Sequence, residues 1–164
     1  MKEIFHRTSI RRYLDKEIEE EKIEWLLKAA MQAPSAANQQ PWEFTVVTNK
    51  DVLKELAKVS PYAGMLEGAA AGIAVLARKD CRIPGYAYID CSIASENLWL
   101  EADHLGLGAV MLGIAPIAER MQKAAEILQL PADREVFALF AVGYPAEERK
   151  QQDRYDPARV HYVR

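Results

Sequence analysis

The chain has 164 residues, with 24 acidic and 21 basic side chains, a formal net charge of −3 and a sequence pI near 5.7. This length favours one domain spanning residues 1–164, since compact domains peak at about 100–150 residues. A general nucleic-acid binder would carry a basic excess, so we expect no nucleic-acid partner and, at most, a local anion site. The large apolar fraction and the low net charge exclude a disordered chain.

The cysteines and the apolar stretches bear on the cellular compartment. Cys81 and Cys91 form neither a zinc-binding pattern nor a CxxC motif, which favours free thiols in a reducing cytosol and predicts no metal site. The first residues lack the apolar core of a signal peptide, and the longest apolar stretch, residues 68–77, is too short to span a bilayer. We therefore expect a cytoplasmic protein that does not enter a membrane.

Hydrophobic periodicity predicts a helix, a proline-bounded loop over residues 34–41, and then strands that alternate with helices. The predicted helices cover residues 18–32, 50–59, 86–104 and 116–128, and the predicted strands cover residues 43–48, 72–78, 109–113 and 135–143. Pro116 suits the first turn of its helix. The long helix should present Ile89, Ile93 and Leu100 as one apolar stripe, with Ala94, Leu98 and Leu105 beside it. No predicted strand leads into a glycine-rich turn, so we expect no Rossmann dinucleotide site.

The first candidate site is the segment RTSIRRY, residues 7–13. If it is extended, side chains alternate between its faces, so Arg7, Ser9 and Arg11 point one way. Two guanidinium groups beside a hydroxyl suit a phosphate. A helix would keep the two arginines on one face but not Ser9. An equally supported alternative is a solvated basic patch that pairs with the acidic residues 19–21.

The second candidate site is the loop APSAANQQPW, residues 33–42. Its small residues allow a ligand to approach the backbone closely, and the side-chain amides of residues 38–40 both donate and accept hydrogen bonds. These properties suit a flat heterocycle with alternating N–H and C=O edges. The alternative is a loop whose amides satisfy its own backbone after the preceding helix.

The third candidate feature is the tail that follows Gly143-Tyr144-Pro145, in which Arg149, Lys150 and Arg154 could reach an anion bound elsewhere. Nearby acidic residues almost cancel these charges, so a solvated charged tail is the alternative.

The three motifs occur in an order that resembles the FMN-dependent nitroreductase family, and the resemblance extends over essentially the whole chain through DCSIASENLWLEADHLGLGAVMLGI and the last predicted strand. The resemblance implies an α+β fold in which helices flank a central, mostly antiparallel sheet. It also implies an intertwined homodimer with FMN at the subunit interface, contacted by both chains.

Within that resemblance, the motif positions imply specific cofactor contacts. Arg7, Ser9 and Arg11 would hold the phosphate, the ribityl chain and the pyrimidine edge, and Gly113 and Ile114 would pass the isoalloxazine with their backbone. Residues 34–37 would line the flavin, as a rule from the partner subunit. The implied cofactor-binding residues are Arg7, Thr8, Ser9, Arg11, Pro34, Ser35, Ala36, Ala37, Asn38, Gln40, Gly113, Ile114 and Arg154. The sequence departs from relatives at Thr8, often Arg or His, and at Ala36 and Ala37, often Gly-Gly or Ser-Thr.

The resemblance implies an NAD(P)H-dependent FMN oxidoreductase in which a nitroaromatic, a quinone or a similar small acceptor takes the electrons in a ping-pong sequence. FMN carries the redox chemistry, so no catalytic side chain is assigned. A cation at the pyrimidine edge, for which Arg11 is the candidate, would stabilise the negative charge of the reduced ring. The alternatives are flavin fragmentation or reductive dehalogenation on the same fold, and a flavin-binding protein without turnover. Tyr62 and Met65, in the segment expected to roof the flavin, could touch a substrate or merely pack.

Overall fold

A computed structural model gives the structure of residues 2–164. In chain order the helices and strands are α1 (Glu3–His6), α2 (Glu20–Met31), β1 (Trp42–Val47), α3 (Lys50–Leu56), β2 (Ala71–Arg78), α4 (Ala87–His104), β3 (Gly108–Gly113), α5 (Ala118–Ile127) and β4 (Arg134–Gly143). The predicted loop contains a single 3₁₀ turn, Ala36–Asn38. The predicted strands and the four longer helices are confirmed to within a few residues, and α1 is an addition.

The four strands form one antiparallel sheet in the order β1-β2-β4-β3. Strand β2 is buried along almost its whole length because helices cover both faces of the sheet. Side chains that alternate along β2 therefore enter two different cores. Ile73 and Val75 pack with α2 and α4, whereas Ala74 and Leu76 pack with α3 and α5. The α+β class and the helix-flanked antiparallel sheet are confirmed.

Helix α4 turns a different face to the sheet from the predicted one. Its buried residues are Ala87, Asp90, Cys91, Ala94, Ser95, Leu98 and Ala102. Ile89 and Ile93 are 54% and 37% exposed, so the predicted Ile89–Ile93–Leu100 stripe is wrong as the core face. This helix carries apolar residues on all of its sides, so the periodicity of the sequence could not indicate which side packs on the sheet. The small side chains of Ala and Cys allow the closer approach to the sheet.

The start of α5 also differs from the prediction. Pro116 follows a cis bond from Ala115, and the helix begins at Ala118. Pro116 therefore belongs to the turn after β3 and not to the first turn of the helix.

Helix α1 packs on the end of α4, where two histidine–carboxylate contacts join the two helices. His6 Nδ1 lies 2.8 Å from an oxygen of Asp103, and His104 Nδ1 lies 3.2 Å from Glu3 Oε1. These contacts position the chain that leaves α1 at Arg7, the first residue of the first candidate site.

Candidate functional site

Residues 7–13 run in extended form beside β3 and β4. The Ile10 amide donates to Ala109 O at 3.0 Å, and Ser9 forms a parallel bridge with Ala109. The Tyr13 hydroxyl lies 2.6 Å from Ile10 O and 3.0 Å from Ala141 O. The extended conformation is thus confirmed over the helical alternative. Burial raises the pKa of Tyr13, so the hydroxyl remains a neutral donor in this position.

The approach of this segment depends on a glycine. A Cβ at Gly108 would lie 2.6 Å from Ile10 Cγ2 and 2.8 Å from Ile10 Cβ, closer than unbonded carbons can sit. The missing side chain lets Ile10 bury itself against the start of β3. Ser9 and Arg11, its neighbours, consequently face away from that contact.

The first cavity, which we call the basic cavity, has a volume of about 410 Å³. It is lined by Arg7, Thr8, Ser9, Arg11, Trp99, Arg149, Lys150, Gln151, Gln152 and Arg154. Five of these residues are basic and none is acidic. The fold therefore brings the first motif together with the charged tail, although the two are about 140 residues apart in the chain.

Arg7 is held in this cavity by stacking. Its guanidinium carbon lies 4.0 Å from the ring centroid of Trp99, and the indole Nε1 donates to Ala109 O at 3.0 Å. Arg7 Nε is buried and has no hydrogen-bond partner among residues 2–164; a Glu96 oxygen stands 3.6 Å away. The stacked guanidinium thus keeps a positive charge in the wall of the basic cavity.

The contacts of Glu19 and Arg11 differ from the alternative interpretation, in which the first motif is a basic patch that pairs with residues 19–21. Glu19 pairs with Lys16 and Lys22, at 3.7 and 3.8 Å, and not with the arginines of residues 7–12. The Arg11 amide instead donates to Glu147 Oε1 at 2.7 Å. This hydrogen bond is the main reason that the pKa of Glu147 lies below its usual range. The charged carboxylate thereby ties the base of the tail to the first motif.

A second cavity, which we call the large cavity, has a volume of about 690 Å³. It is lined by Arg11, Ser60, Pro61, Tyr62, Gly64, Met65, Val110, Met111, Leu112, Gly113 and Arg120. Arg11 lines both cavities, so the two adjoin at that residue. The wall is mainly apolar, which suits a flat ring system. Tyr62 and Met65 lie on this wall.

Ile114 is the predicted site residue that lies deepest in the fold. Its side chain is fully buried in the core beneath α5, and its amide donates to Phe137 O at 3.3 Å. Gly113 lines the large cavity and Ile114 does not.

No residue of the loop 34–40 lines either of these two cavities of its own chain. Asp90, only 2% exposed, accepts hydrogen bonds from the Ala36 amide at 3.0 Å and from Gln39 Nε2 at 2.7 Å. Gln39 Oε1 also accepts from the Ile83 amide. The Gln39 amide thus bonds α4 and the turn before it, and not the backbone of its own loop as the alternative interpretation expected.

The remaining residues of that loop present a shaped surface to solvent. Ala37, Asn38 and Gln40 all have positive φ angles, of 50°, 52° and 45°. Gln40 Nε2 donates to Asn38 Oδ1 at 3.0 Å, and the Gln40 amide donates to Ser35 Oγ at 2.9 Å. Non-glycine residues rarely adopt such angles, and surrounding contacts must hold them there. Pro34 is exposed at the start of the same surface.

Sequence reasoning missed four residues that shape these sites: Asp90, Trp99, Arg120 and Glu147. Asp90 left one signal, since it is a lone carboxylate within the apolar run YAYIDCSIA. Buried charges of this kind are found with partners. The other three residues acquire their roles through contacts between distant parts of the chain.

Within residues 2–164, no helix combines the length and apolarity needed to cross a membrane. The same residues contain no cluster of three or more His, Cys, Asp or Glu side chains able to hold a metal ion. Cys81 and Cys91 are both buried and unbonded to each other, and burial raises the pKa of Cys91 to about 12.

The fold is an antiparallel sheet between two helical layers, with a basic cavity adjoining a larger, mainly apolar one. The model of the nitroreductase family matches residues 4–144, and the chain belongs to that family. The match ends before the tail that supplies three of the five cations of the basic cavity.

Individual relatives agree with this assignment. A protein of Archaeoglobus fulgidus described as "Putative NADH dehydrogenase/NAD(P)H nitroreductase" is 43% identical over 98% of this chain and 95% of its own length. An FMN-dependent nitroreductase structure from Clostridium difficile R20291 has a TM-score of 0.90 at 31% identity, with 96% and 95% of the two chains covered. A "putative nitroreductase" solved with FMN, from Desulfovibrio desulfuricans, has a TM-score of 0.85 at 30% identity, with 99% and 95% covered.

Proposed function

We propose that the protein is an NAD(P)H-dependent oxidoreductase whose cofactor is FMN. NAD(P)H delivers the electrons, leaves, and is followed by a nitroaromatic, a quinone or a similar small acceptor. The observation that carries this proposal is the junction of the two cavities at Arg11. FMN has an anionic phosphate at one end and a flat ring system at the other, and the two cavities offer a cationic and an apolar environment in that arrangement.

The basic cavity fits the phosphate on the grounds of charge and hydrogen bonding. Arg7, Ser9 and Arg154, all of which line this cavity, would hold it. Stacking on Trp99 fixes the guanidinium before the ligand arrives, which reduces the entropy lost on binding. Thr8 adds a hydroxyl to the same wall.

The large cavity would hold the ring system, with Gly113 lining its wall and Arg11 at its boundary with the basic cavity. FMN supplies hydride transfer when it is bound, so the chain needs no acid, base or metal for that step. Arg11 would place a positive charge near the pyrimidine edge, where negative charge accumulates on reduction. The apolar wall formed by Val110, Met111 and Leu112 would exclude water from the ring.

We further propose that the functional unit is a homodimer in which the loop of residues 34–40, with Asn38 and Gln40, completes the partner's flavin site. The loop has a defined shape yet lines neither cavity of its own chain. Large apolar side chains on α2 and α4 are also exposed, among them Trp25, Met31, Ile89 and Ile93. Such surface is typical of a subunit interface. We propose the cytosol as the compartment, which agrees with two unpaired cysteines.

The decisive experiment is a visible spectrum of the purified protein, followed by anaerobic titration with NADH and NADPH and then with a nitroaromatic. We expect flavin absorbance that either nucleotide bleaches and the acceptor restores, with parallel lines in steady-state double-reciprocal plots. Protein that neither contains nor binds FMN contradicts the proposal. Flavin reduced by dithionite but not by NAD(P)H would favour a binding protein, and consumption of flavin under oxygen would favour fragmentation.

Arginine variants test the placement of FMN across the two cavities. Replacing both Arg7 and Arg11 with Ala should weaken FMN binding at least a hundredfold, because a hydrogen bond to a charged group contributes about 1.5–3 kcal/mol. Arg12→Ala is the matched control, since Arg12 is exposed and lines neither cavity. Equal FMN affinity in the double variant and the control would rule out this placement.

A further inference from the structure

The large cavity contains a second cation that the proposed flavin contacts do not use. Arg120, in the first turn of α5, lines the cavity together with Arg11, and no acidic side chain lines it. Two positive charges in a mainly apolar cavity produce a local positive potential, because low-dielectric walls focus the field. An anionic group that enters this cavity is therefore favoured over a neutral one.

The guanidinium group of Arg120 is oriented by a backbone carbonyl, and no described carboxylate neutralises its charge. Its Nη1 lies 3.5 Å from the carbonyl oxygen of Gly113, the last residue of β3 and another part of the cavity wall. Among residues 2–164, no carboxylate lies within ion-pair distance of its guanidinium. The adjacent Glu119 is exposed on the helix and does not line the cavity. The remaining N–H groups of Arg120 are thus available to a ligand.

The two cations have different surroundings. The backbone of Arg11 is tied to Glu147, and its side chain borders the basic cavity as well. Arg120 lines the large cavity, as Tyr62 and Met65 do, but does not line the basic cavity. A substrate that enters the large cavity beside the flavin would therefore meet Arg120 as its own cationic contact. An arginine offers a planar pair of N–H donors that matches a carboxylate or phosphate.

We propose that Arg120 is a specificity-determining residue that favours substrates carrying an anionic group, such as a carboxylate or phosphate, beside the reacting ring. The inference rests on the proposed function, since it places the substrate in the large cavity next to the flavin. The anion could belong to the electron acceptor or to the dinucleotide donor. A ping-pong sequence separates these two sources, because each half-reaction can be measured alone.

The acceptor is tested with 4-nitrobenzoate against 4-nitrobenzamide, which differ in charge but hardly in shape. We expect Arg120→Gln to lower kcat/KM for the benzoate about 10- to 100-fold, the loss typical of a charge-assisted hydrogen bond, and for the benzamide less than about twofold.

The donor is tested by stopped-flow measurement of flavin reduction, with NADPH against 1-benzyl-1,4-dihydronicotinamide, which lacks phosphates. Arg120→Lys should recover part of the lost selectivity, because the charge remains without the planar donor pair.

Direct binding gives a readout that is independent of turnover. Titration of the flavin-loaded protein with benzoate and with benzamide should show the same selective loss in Arg120→Gln. Lys123→Gln is the matched control, because it removes the same charge from α5 while Lys123 donates to Lys58 O at 2.9 Å and lines neither cavity.

The proposal is supported if Arg120→Gln lowers the rate or the binding only for the anionic member of either pair and Lys123→Gln does not. The pair that shows this loss identifies the source of the anion. An unchanged ratio in both pairs, or an equal loss for charged and neutral members, overturns it. Failure of the wild-type protein to bind FMN, or of its bound flavin to be reduced by NAD(P)H, would instead contradict the proposed function itself.

Discussion

The carboxylate of Asp90 offers the sharpest test of how this chain shapes its exposed loop. It is buried in the first turn of α4 and joins two donors from the loop, the Ala36 amide and Gln39 Nε2. Removing it in Asp90→Ala leaves both donors without their acceptor. Because Ala37 and its neighbours hold positive φ angles that need support, we expect the loop to loosen as well as the fold to weaken.

The magnitude follows from these two hydrogen bonds. Each hydrogen bond to a charged group is worth about 1.5–3 kcal/mol, and water can reach part of the loop once the anchor is gone. We therefore expect Asp90→Ala to lower the free energy of unfolding by about 2–4 kcal/mol. Asp90→Asn should recover only part of this. Its amide oxygen can still accept from Ala36, but its NH₂ group would face the Gln39 Nε2 donor, which also bonds Ile83 O at 3.2 Å.

The assay is urea unfolding of the apoprotein at one fixed protein concentration, followed by tryptophan fluorescence, with hydrogen exchange of the loop amides. Excess FMN would add binding free energy to the measured stability. Asp51→Ala is the matched control: Asp51 is also an aspartate in the first turn of a helix, but its side chain is 91% exposed. Its loss should cost no more than about 1 kcal/mol. If Asp90→Ala loses no more stability than this control, and the Ala36 amide keeps its protection, the anchoring role is refuted.

Three further predictions concern other parts of the molecule. Gly108→Ala should cost about 1–3 kcal/mol of stability and weaken FMN binding, because the new Cβ collides with Ile10; Gly68→Ala, with no atom within 4 Å of its Cβ, is the control, and equal unfolding midpoints would disprove the argument. Ala37→Gly should leave stability unchanged or raise it by up to about 1 kcal/mol, because glycine relieves the positive φ at some entropic cost; a clear loss in urea unfolding would contradict this. Cys91 should resist iodoacetamide at pH 8 until urea unfolds the protein, as peptide mass spectrometry would reveal, since burial raises its pKa to about 12.

The same cysteine fixes the sign of one pH effect. Its thiol has a higher pKa in the folded chain than its ordinary value near 9, so folding favours the protonated form. The corresponding stability is fully present below about pH 9 and is lost as the pH rises towards 12. Cys91→Ala should flatten this alkaline decline in thermal unfolding. An identical alkaline slope in the variant would show that other groups cause the decline.

Several elements could be predicted from local pattern alone. Short apolar runs identified the strands around Phe44, Val75 and Phe140, and helical spacing identified α2. The sequence placed Arg7 and Arg11 on one face in either an extended or a helical segment, and only the pairing with β3 showed that the segment is extended. Local patterns succeed here because strand and helix periodicities depend on neighbours that are close in sequence. They failed for the buried face of α4, because apolar residues surround that helix.

The sequence by itself determined the class of elements, the ordered motifs and, through their resemblance, the family and its cofactor. Only the tertiary structure decided which cations share a cavity, that Asp90 anchors the exposed loop, and that Arg120 stands beside the large cavity without a carboxylate partner. The physical reason is distance along the chain. Strand order and helix packing bring together residues that are far apart in sequence, and no local periodicity encodes those contacts.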